Sequence, residues 1–573
     1  MSKIVLVISS LLILVVLAFT LPENLTFPKG IYRSPIDHEI LLSGTFGELR
    51  GDHFHTGIDI KSSNGKYADK IYAIGDGYIS RIGISGDGYG NALYIDHPEG
   101  YTSVYGHLSS FPDSVAAYVK RKQYEQQSFA LNLYPDSTQF KVKKGEVVAK
   151  MGNTGYSFGP HLHFEIRNTV SETPINPLHF GYKIKDNTSP LLYRVFLSAL
   201  KPDLSTYHVK TLGLQGKSRT PNGAIIKLGA WRMGIGIQGI DKMDGSWNKN
   251  GIYQVDLFVD ESLHFAFSLD SIPFHHKKYV KAHIDPFILK NKNKKSHKCF
   301  GNEANKLRIY QIPLENGAIK LYKDLPRKIR VSAKDFSGNI SEFEFLVLRD
   351  TVMVEPEHPT YNYHLPWNEP SLIRTGDAEI YFPEGTLLED LYLRMDVSED
   401  HSSNIYSPIV HIHDEYVTLI DDYSITINYH RIPKHLEQKA VLIECGKIEL
   451  LASWGGQWES EQFKAKVDKL GTFYIGLDTI PPEIEHISFN SNMVGKKRMV
   501  FKVTDNLEVK GDADDVKLDA YIDGNWVLLT YDAKTKKYVH DFESDLTAGS
   551  HELKLVVVDD RGNRLEETHI FSR

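Results

Sequence analysis

From about residue 40 to residue 180, hydrophobic and polar positions alternate in short runs: YISRIGI, NALYID, TSVYGHL, EVVAKMG and HLHFEIR, separated by glycine-containing turns. Successive side chains of an extended strand point to opposite faces, so runs of this period predict strands. One stretch departs from the rule. DSVAAYVKRKQYEQQSFALNLYPDSTQFKVKKGE begins with apolar residues at helical spacing and ends in a lysine-rich turn, which predicts an insertion over about residues 111–142 that opens with an amphipathic helix.

Beyond residue 180 the alternation continues and the chain repeats itself. DNTSPLLYRVFL, from Asp186, and DTIPPEIEHISF, from Asp478, both read Asp, three residues, Pro, then an alternating strand. AKDFSGNISEFEF, around Asp335, and VVDDRGNRLEETH, around Asp559, share Asp-x-x-Gly-Asn, a turn that favours a hairpin. Two immunoglobulin-like β-sandwich modules are therefore expected, at 185–350 and 478–573. The stretch between them, 351–477, carries AEIYFPEGTL, YSITINYH and GTFYIGL and is expected to be a further β-rich module. The expected fold class is all-β, with a domain over 21–184 ahead of these three.

Composition narrows the classes of function. The chain has 573 residues, 41% hydrophobic and 24% charged, which suits several folded domains, and 31 Tyr with 27 Phe lean towards sheet. A net charge of -7 on this length calls for neither nucleic acid nor an anionic membrane surface. Lys3 precedes an apolar run from Ile4 to Phe19 that ends in TLPENLTFPKG, so residues 1–20 read as an export signal, or as a signal anchor if left uncleaved. The run falls short of the roughly 20 residues a membrane span needs. Only Cys299 and Cys445 are present, far apart, so any metal must be held by histidines and carboxylates.

Histidines concentrate in the first domain, in HFHTGID (His55, Asp59), YGHLS (His107) and GPHLHFEIRN (His161, His163). His55 and Asp59 are four apart, and His161 and His163 two apart, so on strands each pair shares a face. A catalytic zinc takes three nitrogen or oxygen ligands and leaves one position open, a demand that His, His and a carboxylate meet. Histidines beyond that need are suited to proton transfer and to stabilising an oxyanion. Elsewhere, His53 is expected at the surface or against its loop, and His97 in a turn after a strand. His411 and His413 (VHIHDE) are expected on a solvent-facing strand. FHHKK, at His275, and KNKNKKSHKC, up to Cys299, read as solvated basic loops.

Taken in order, GTFGELRGDHFHTGIDI, IYAIGDGYIS, GYGNALYIDH, YTSVYGHLSS and VKKGEVVAKMGNTGYSFGPHLHFEIRN resemble the lysostaphin-type (LytM-like) zinc metallopeptidases over about residues 43–177. The resemblance implies a β-rich duplicated hybrid motif fold and hydrolysis of peptide cross-links in bacterial peptidoglycan. It implies one Zn2+ held by His55, Asp59 and His163, with His107 and His161 as the catalytic histidines. Two departures stand out: Phe158 precedes Gly-Pro-His where many relatives have a small hydroxyl residue, and the insertion after His107 is long enough to wall or partly cover a cleft. The expected protein is an exported zinc metalloendopeptidase of the periplasm or cell envelope, acting on peptidoglycan stem peptides. Its tail modules are free to bind an envelope partner. The alternatives are an inactive scaffold or regulator of wall hydrolases, and a peptidase acting on non-wall protein.

Overall fold

In this computed structural model, residues 27–573 are described apart from 52, 66–67, 217–218, 302–303, 312–313, 357–359, 403, 414–416, 429–430, 446–451, 512–515 and 543–545. The expected export signal lies outside the described residues. The strands of the first domain that matter here are β1 (Leu42–Gly44), β2 (Ile58–Lys61), β3 (Gly77–Ile84), β4 (Ala92–Asp96), β5 (Tyr101–Gly106) and β6 (His161–Asn168). They lie in one sheet in the order β1-β2-β6-β5-β4-β3, and a smaller sheet is made by Lys70–Tyr72, Val147–Met151 and Leu108–Ser110. All neighbours along that path are antiparallel, so short turns suffice to join β3 to β4 and β4 to β5.

β6 shows why this sequence makes a central strand. Leu162, Phe164 and Ile166 are fully buried on one face, while His161, His163, Glu165 and Arg167 occupy the other. The strand is thus apolar on one face and polar on the other.

The insertion begins with a helix, α1 (Asp113–Gln126), which buries Val115, Val119 and Gln123 at i, i+4 and i+8 and ends at Gln127 in the left-handed conformation. Its remaining strands, Leu131–Leu133 and Lys141–Val142, pair with β3. They extend the sheet at the edge away from β2 and β6, so the inserted strands do not wall the cleft. Tyr124 of α1 instead meets Trp526 of the last module, ring centroids 5.3 Å apart.

The tail is built from facing pairs of sheets. The first pair falls within residues 191–349, the second within 371–477 with Glu508–Val509 added in parallel at one edge, and the third within 483–572. The turns at Asp335 and Asp559 do join antiparallel partners, Arg327–Lys334 to Ile340–Arg349 and Ser550–Val558 to Arg564–Ser572.

The first tail module is not a bead on a string. One hydrophobic core holds both it and the leading domain, running from Tyr32 to Val347 and taking in Ile420 of the next module. Polar contacts cross the same boundary: Asn176 N donates to the Asp270 carbonyl at 2.8 Å, Lys61 Nζ to Ser246 Oγ at 2.9 Å, and Lys295 Nζ to the Arg50 carbonyl at 2.5 Å. The last module returns to the first domain from the other end of the chain. Ala533 N donates to the Gly86 carbonyl at 3.1 Å, and Lys534 Nζ to the carbonyls of Asn153 (3.1 Å) and Ser157 (2.8 Å).

Candidate metal centre

Register brings the chemistry together. In β2, Asp59 lies directly opposite His163 of β6, and on the other side of β6 His163 faces Gly106, the last residue of β5. Directly opposed residues carry their side chains to the same face, so Asp59 and His163 meet. Gly106 leaves His163 room, since a Cβ there would stand 3.3 Å from His163 Cβ. Just before β2, Gly57 lets the strand close in: a Cβ would stand 2.5 Å from the Phe164 carbonyl and 2.8 Å from Glu165 Cγ. The residue is glycine for space.

His55 Nε2, Asp59 Oδ1 and His163 Nδ1 form a triangle with every side 3.0 Å. All three residues are buried, at 6%, 7% and 4% exposure. The other end of each side chain is anchored. His55 Nδ1–H donates to the Thr45 carbonyl at 2.8 Å, His163 Nε2–H to Glu165 Oε1 at 2.8 Å, and Arg50 Nη2 to Asp59 Oδ2 at 2.8 Å. Those anchors leave two imidazole lone pairs and one carboxylate oxygen turned upon each other, an arrangement a cation relieves. Ligands at 2.0–2.2 Å from a tetrahedral zinc are about 3.3 Å apart, so the donor set fits that ion with little adjustment.

The two further histidines are held in the same manner. His107 Nδ1–H donates to the Thr154 carbonyl and His161 Nδ1–H to the Gly159 carbonyl, both at 2.8 Å, so in each ring Nε2 keeps its lone pair. Their ring centroids are 4.8 Å apart, and His161 Nε2 lies 3.5 Å from Asp59 Oδ1. His107 is 6% exposed and adopts a positive φ of 61°. Burial, together with His161 and His163, pushes it down to about 3. His55 is likewise held below its ordinary value by burial, against the pull of Asp59. Burial opposes the shifts of Asp59 and His163. For Asp59 the surrounding histidines prevail and hold the carboxyl well down; for His163 the hydrogen bonds to Asp59 and Glu165 raise the imidazole to about 9.

Residues 53–124 and 133–177 match the model of Peptidase family M23. This part of the chain is an M23 peptidase domain.

Residues 362–478 match the model of the Zu5-like domain. Among similar proteins, DD-carboxypeptidase/endopeptidase Mpg of Neisseria meningitidis serogroup B is 36% identical over 124 residues, 22% of this chain and 22% of that protein. Murein hydrolase activator NlpD of Escherichia coli is 32% identical over 153 residues, 27% of this chain and 32% of NlpD. The chain thus spans about a fifth of the length of the first of these relatives. A solved catalytic domain of the prophage-encoded M23 protein EnpA from Enterococcus faecalis is 25% identical, at a TM-score of 0.19, covering 26% of this chain and 98% of that one.

Behind the M23 donor triangle lies a network that sequence reasoning did not pick out. Glu165 is fully buried and accepts from Thr56 Oγ1 (2.7 Å), Tyr89 OH (2.6 Å) and His163 Nε2 on Oε1, and from Arg167 Nε (2.6 Å) on Oε2. Burial alone would raise its pKa, but Arg167 and His163 hold it well below the usual carboxylate range. Arg167 stacks over Phe274 of the first tail module, 4.4 Å from the ring centroid, so the network reaches across the domain boundary. The available signal was the period of two on β6, which sets Glu165 and Arg167 on the face of His161 and His163; Thr56 and Tyr89 come from elsewhere and carry no such signal.

The remaining sequence candidates fall outside the centre. His53 is exposed. His97 does follow β4, but is 5% exposed and bonded through both ring nitrogens to the Asp76 carbonyl (2.9 Å) and Ser103 Oγ (2.8 Å). His411 is exposed on its strand and bonds Thr472 Oγ1 at 2.9 Å, and His413 follows the strand at a positive φ of 51°. The basic segment before Cys299 is not a solvated loop throughout. His297 sits in a two-residue strand paired with Gly236 and Ile237, is 6% exposed, stacks on Phe267 and lies 2.9 Å from Nε2 of buried His283. Strand pairing and the shared core draw it inward, and Cys299 is buried with it.

Proposed function

We propose that this protein is a zinc metalloendopeptidase that hydrolyses peptide cross-links of bacterial peptidoglycan, with the ion held by His55 Nε2, Asp59 Oδ1 and His163 Nδ1. The observation that carries the reading is the 3.0 Å donor triangle flanked by two histidines whose Nδ1 groups are each bonded to a main-chain carbonyl. The chemistry a zinc ion supplies when bound is a water acidified towards neutrality and a polarised amide carbonyl.

The protein's own residues supply the rest. His107 and His161 are proton acceptors at Nε2 because both Nδ1 protons are committed to main-chain carbonyls. Whichever imidazole has taken a proton becomes a donor, able to stabilise an oxyanion or protonate the leaving amine. They differ in access. His107 is enclosed, whereas the His161 side chain is 16% exposed, so His161 is the more open of the two to solvent and substrate. Exposed Tyr156 and Phe158, 62% and 83% exposed, stand beside the Gly159 turn as an aromatic wall for the substrate chain. The export-signal reading of residues 1–20 puts this activity in the periplasm or cell envelope.

The likeness to a murein hydrolase activator supports a second reading, in which the domain serves as a regulator of wall hydrolases without cleaving. Retention of all five site residues favours the enzyme. Zinc analysis of the purified protein and muropeptide release from purified peptidoglycan, compared with His55→Ala, separate the two. The enzyme contains one zinc and releases products that the variant does not; equal product profiles leave the regulator, and cleavage of added proteins instead of the wall points to a different substrate.

A further inference from the structure

The two modules that begin at Asp186 and Asp478 share a clamp, atom for atom. Asn339 N donates to Asp335 Oδ1 (2.9 Å), and Asn339 Nδ2 to Asp335 Oδ2 (2.8 Å) and the Asp186 carbonyl (3.2 Å). Asn563 repeats all three bonds with Asp559 Oδ1 (2.7 Å), Asp559 Oδ2 (2.8 Å) and the Asp478 carbonyl (3.0 Å). This clamp ties the entering segment to the hairpin turn, a structural task that needs one aspartate, one asparagine and the main-chain carbonyl of the entering residue.

Two further carboxylates stand beside each clamp without a part in it, those of Asp186 and Asp241 in the first copy and those of Asp478 and Asp505 in the last. Asp186, Asp241 and Asp335 bring one oxygen apiece within 4.8 Å of one another, as do Asp478, Asp505 and Asp559. In the first triad Asp335 and Asp241 are 3% and 4% exposed, and Asp241 Oδ1 has no hydrogen-bond partner. Asn250, 2% exposed, leaves both Oδ1 and Nδ2 without one. Asp241 and Asn250 exchange both main-chain hydrogen bonds, at 2.9 Å each, in an antiparallel bridge, so their side chains share a face. Stranded polar atoms at this depth are rare in folded proteins and call for a missing partner. Burial, with Asp335 and Asp186 adding repulsion, pushes Asp241 up to about 8. In the last module Asp505 is less buried and accepts from Asn506 N at 2.6 Å, so that triad lacks the stranded oxygen.

We propose that Asp186, Asp241 and Asp335, with the side-chain oxygen of Asn250, form a binding site for a divalent cation of the calcium class. Donors that are all oxygen and mostly anionic select hard cations, and calcium accepts irregular sets completed by water. The three carboxylates come from the entering segment, the residue after the strand Arg232–Ile240 and the hairpin turn, so one ion joins three separate stretches of the module. Asp186 and Asp241 also line a cavity between this module and the M23 domain, together with Thr45, Tyr182 and Tyr253. Thr45 is the residue whose carbonyl holds His55. The ion therefore steadies the surface on which the peptidase domain rests.

The test uses full-length protein stripped of divalent ions and reloaded with zinc, titrated with CaCl2 by calorimetry and followed by thermal unfolding. Calcium is expected to bind and to raise the unfolding temperature of the wild type. Asp241→Asn and Asp186→Asn are each expected to lose one bound equivalent, or to bind it at least tenfold more weakly, with zinc content retained. The second variant keeps the clamp, which uses the Asp186 main-chain carbonyl, and so serves if the first fails to fold. The proposal falls if the wild type does not bind calcium at millimolar concentration. It falls equally if a folded variant binds as the wild type does. Asp241 would then be a buried neutral acid, and Asp241→Asn would leave unfolding unchanged.

Discussion

Glu165→Gln tests the reading of the centre most directly, because it alters a residue that is no ligand. One fully buried carboxylate receives four donors, from Thr56, Tyr89, His163 and Arg167. Glutamine keeps the shape but has one acceptor oxygen and an NH2 group, so either Arg167 or the three donors on Oε1 must face another donor. A buried guanidinium deprived of its carboxylate costs about 3–5 kcal/mol. The effect on the metal is separate: His163 loses the anion that makes its Nδ1 a better ligand, and outer partners of this kind are worth about 10- to 100-fold in metal affinity, or roughly 1.4–2.7 kcal/mol. Thermal unfolding reads the first loss, and chelator competition for zinc reads the second. The double variant Glu165→Gln/Arg167→Met separates them, since stability recovers when no buried charge is left while zinc stays weakly held. Zinc affinity within twofold of wild type in Glu165→Gln would refute the argument, as would affinity restored in the double variant.

Further expectations follow from the same geometry. In chelator-treated protein, His163 is raised from an ordinary 6.5 to about 9, so its contribution is fully present below pH 6.5 and is lost as pH rises through about 9. The shift corresponds to roughly 3 kcal/mol. Melts of zinc-free protein should show stability falling from pH 6.5 to 9.5, with zinc removing the part of the trend due to His163, because the ion takes the place of the proton and binds more tightly as pH rises. Gly57→Ala puts a methyl group 2.5 Å from the Phe164 carbonyl; we expect about 1–3 kcal/mol of destabilisation and weakened zinc binding, measured by melts and chelator competition. Lys534→Met removes two charge-assisted bonds to the 153–157 loop, whose Ser157 Oγ lies 3.2 Å from His161 Nδ1. Amide exchange in that loop should rise about tenfold or more, and unchanged exchange would show that the last module does not hold the loop.

The pattern along the chain was enough to define an all-β protein, a helix in the insertion, and a polar face on HLHFEIR that carries His161 and His163 together, because a period of two follows from strand geometry alone. The ordered histidine motifs singled out five candidate site residues, and the family resemblance those motifs carry supplied the role expected of each. What lay beyond reach was register and docking. Nothing local sets Asp59 opposite His163, or sends Tyr89 and Thr56 to Glu165; those meetings depend on how separate strands pair and on how closely Gly57 lets them approach. His297 lies in a lysine-rich stretch and is buried only because a neighbouring strand recruits it. The repeated Asp-x-x-Gly-Asn turns were visible as motifs, but the third aspartate of each cluster was not. Asp241 belongs to neither motif, and only the folded sandwich carries it to the other two. The single core shared by the M23 domain and the first tail module was likewise decided by tertiary packing, because hydrophobic alternation marks which face of a strand is buried and is silent on what covers it.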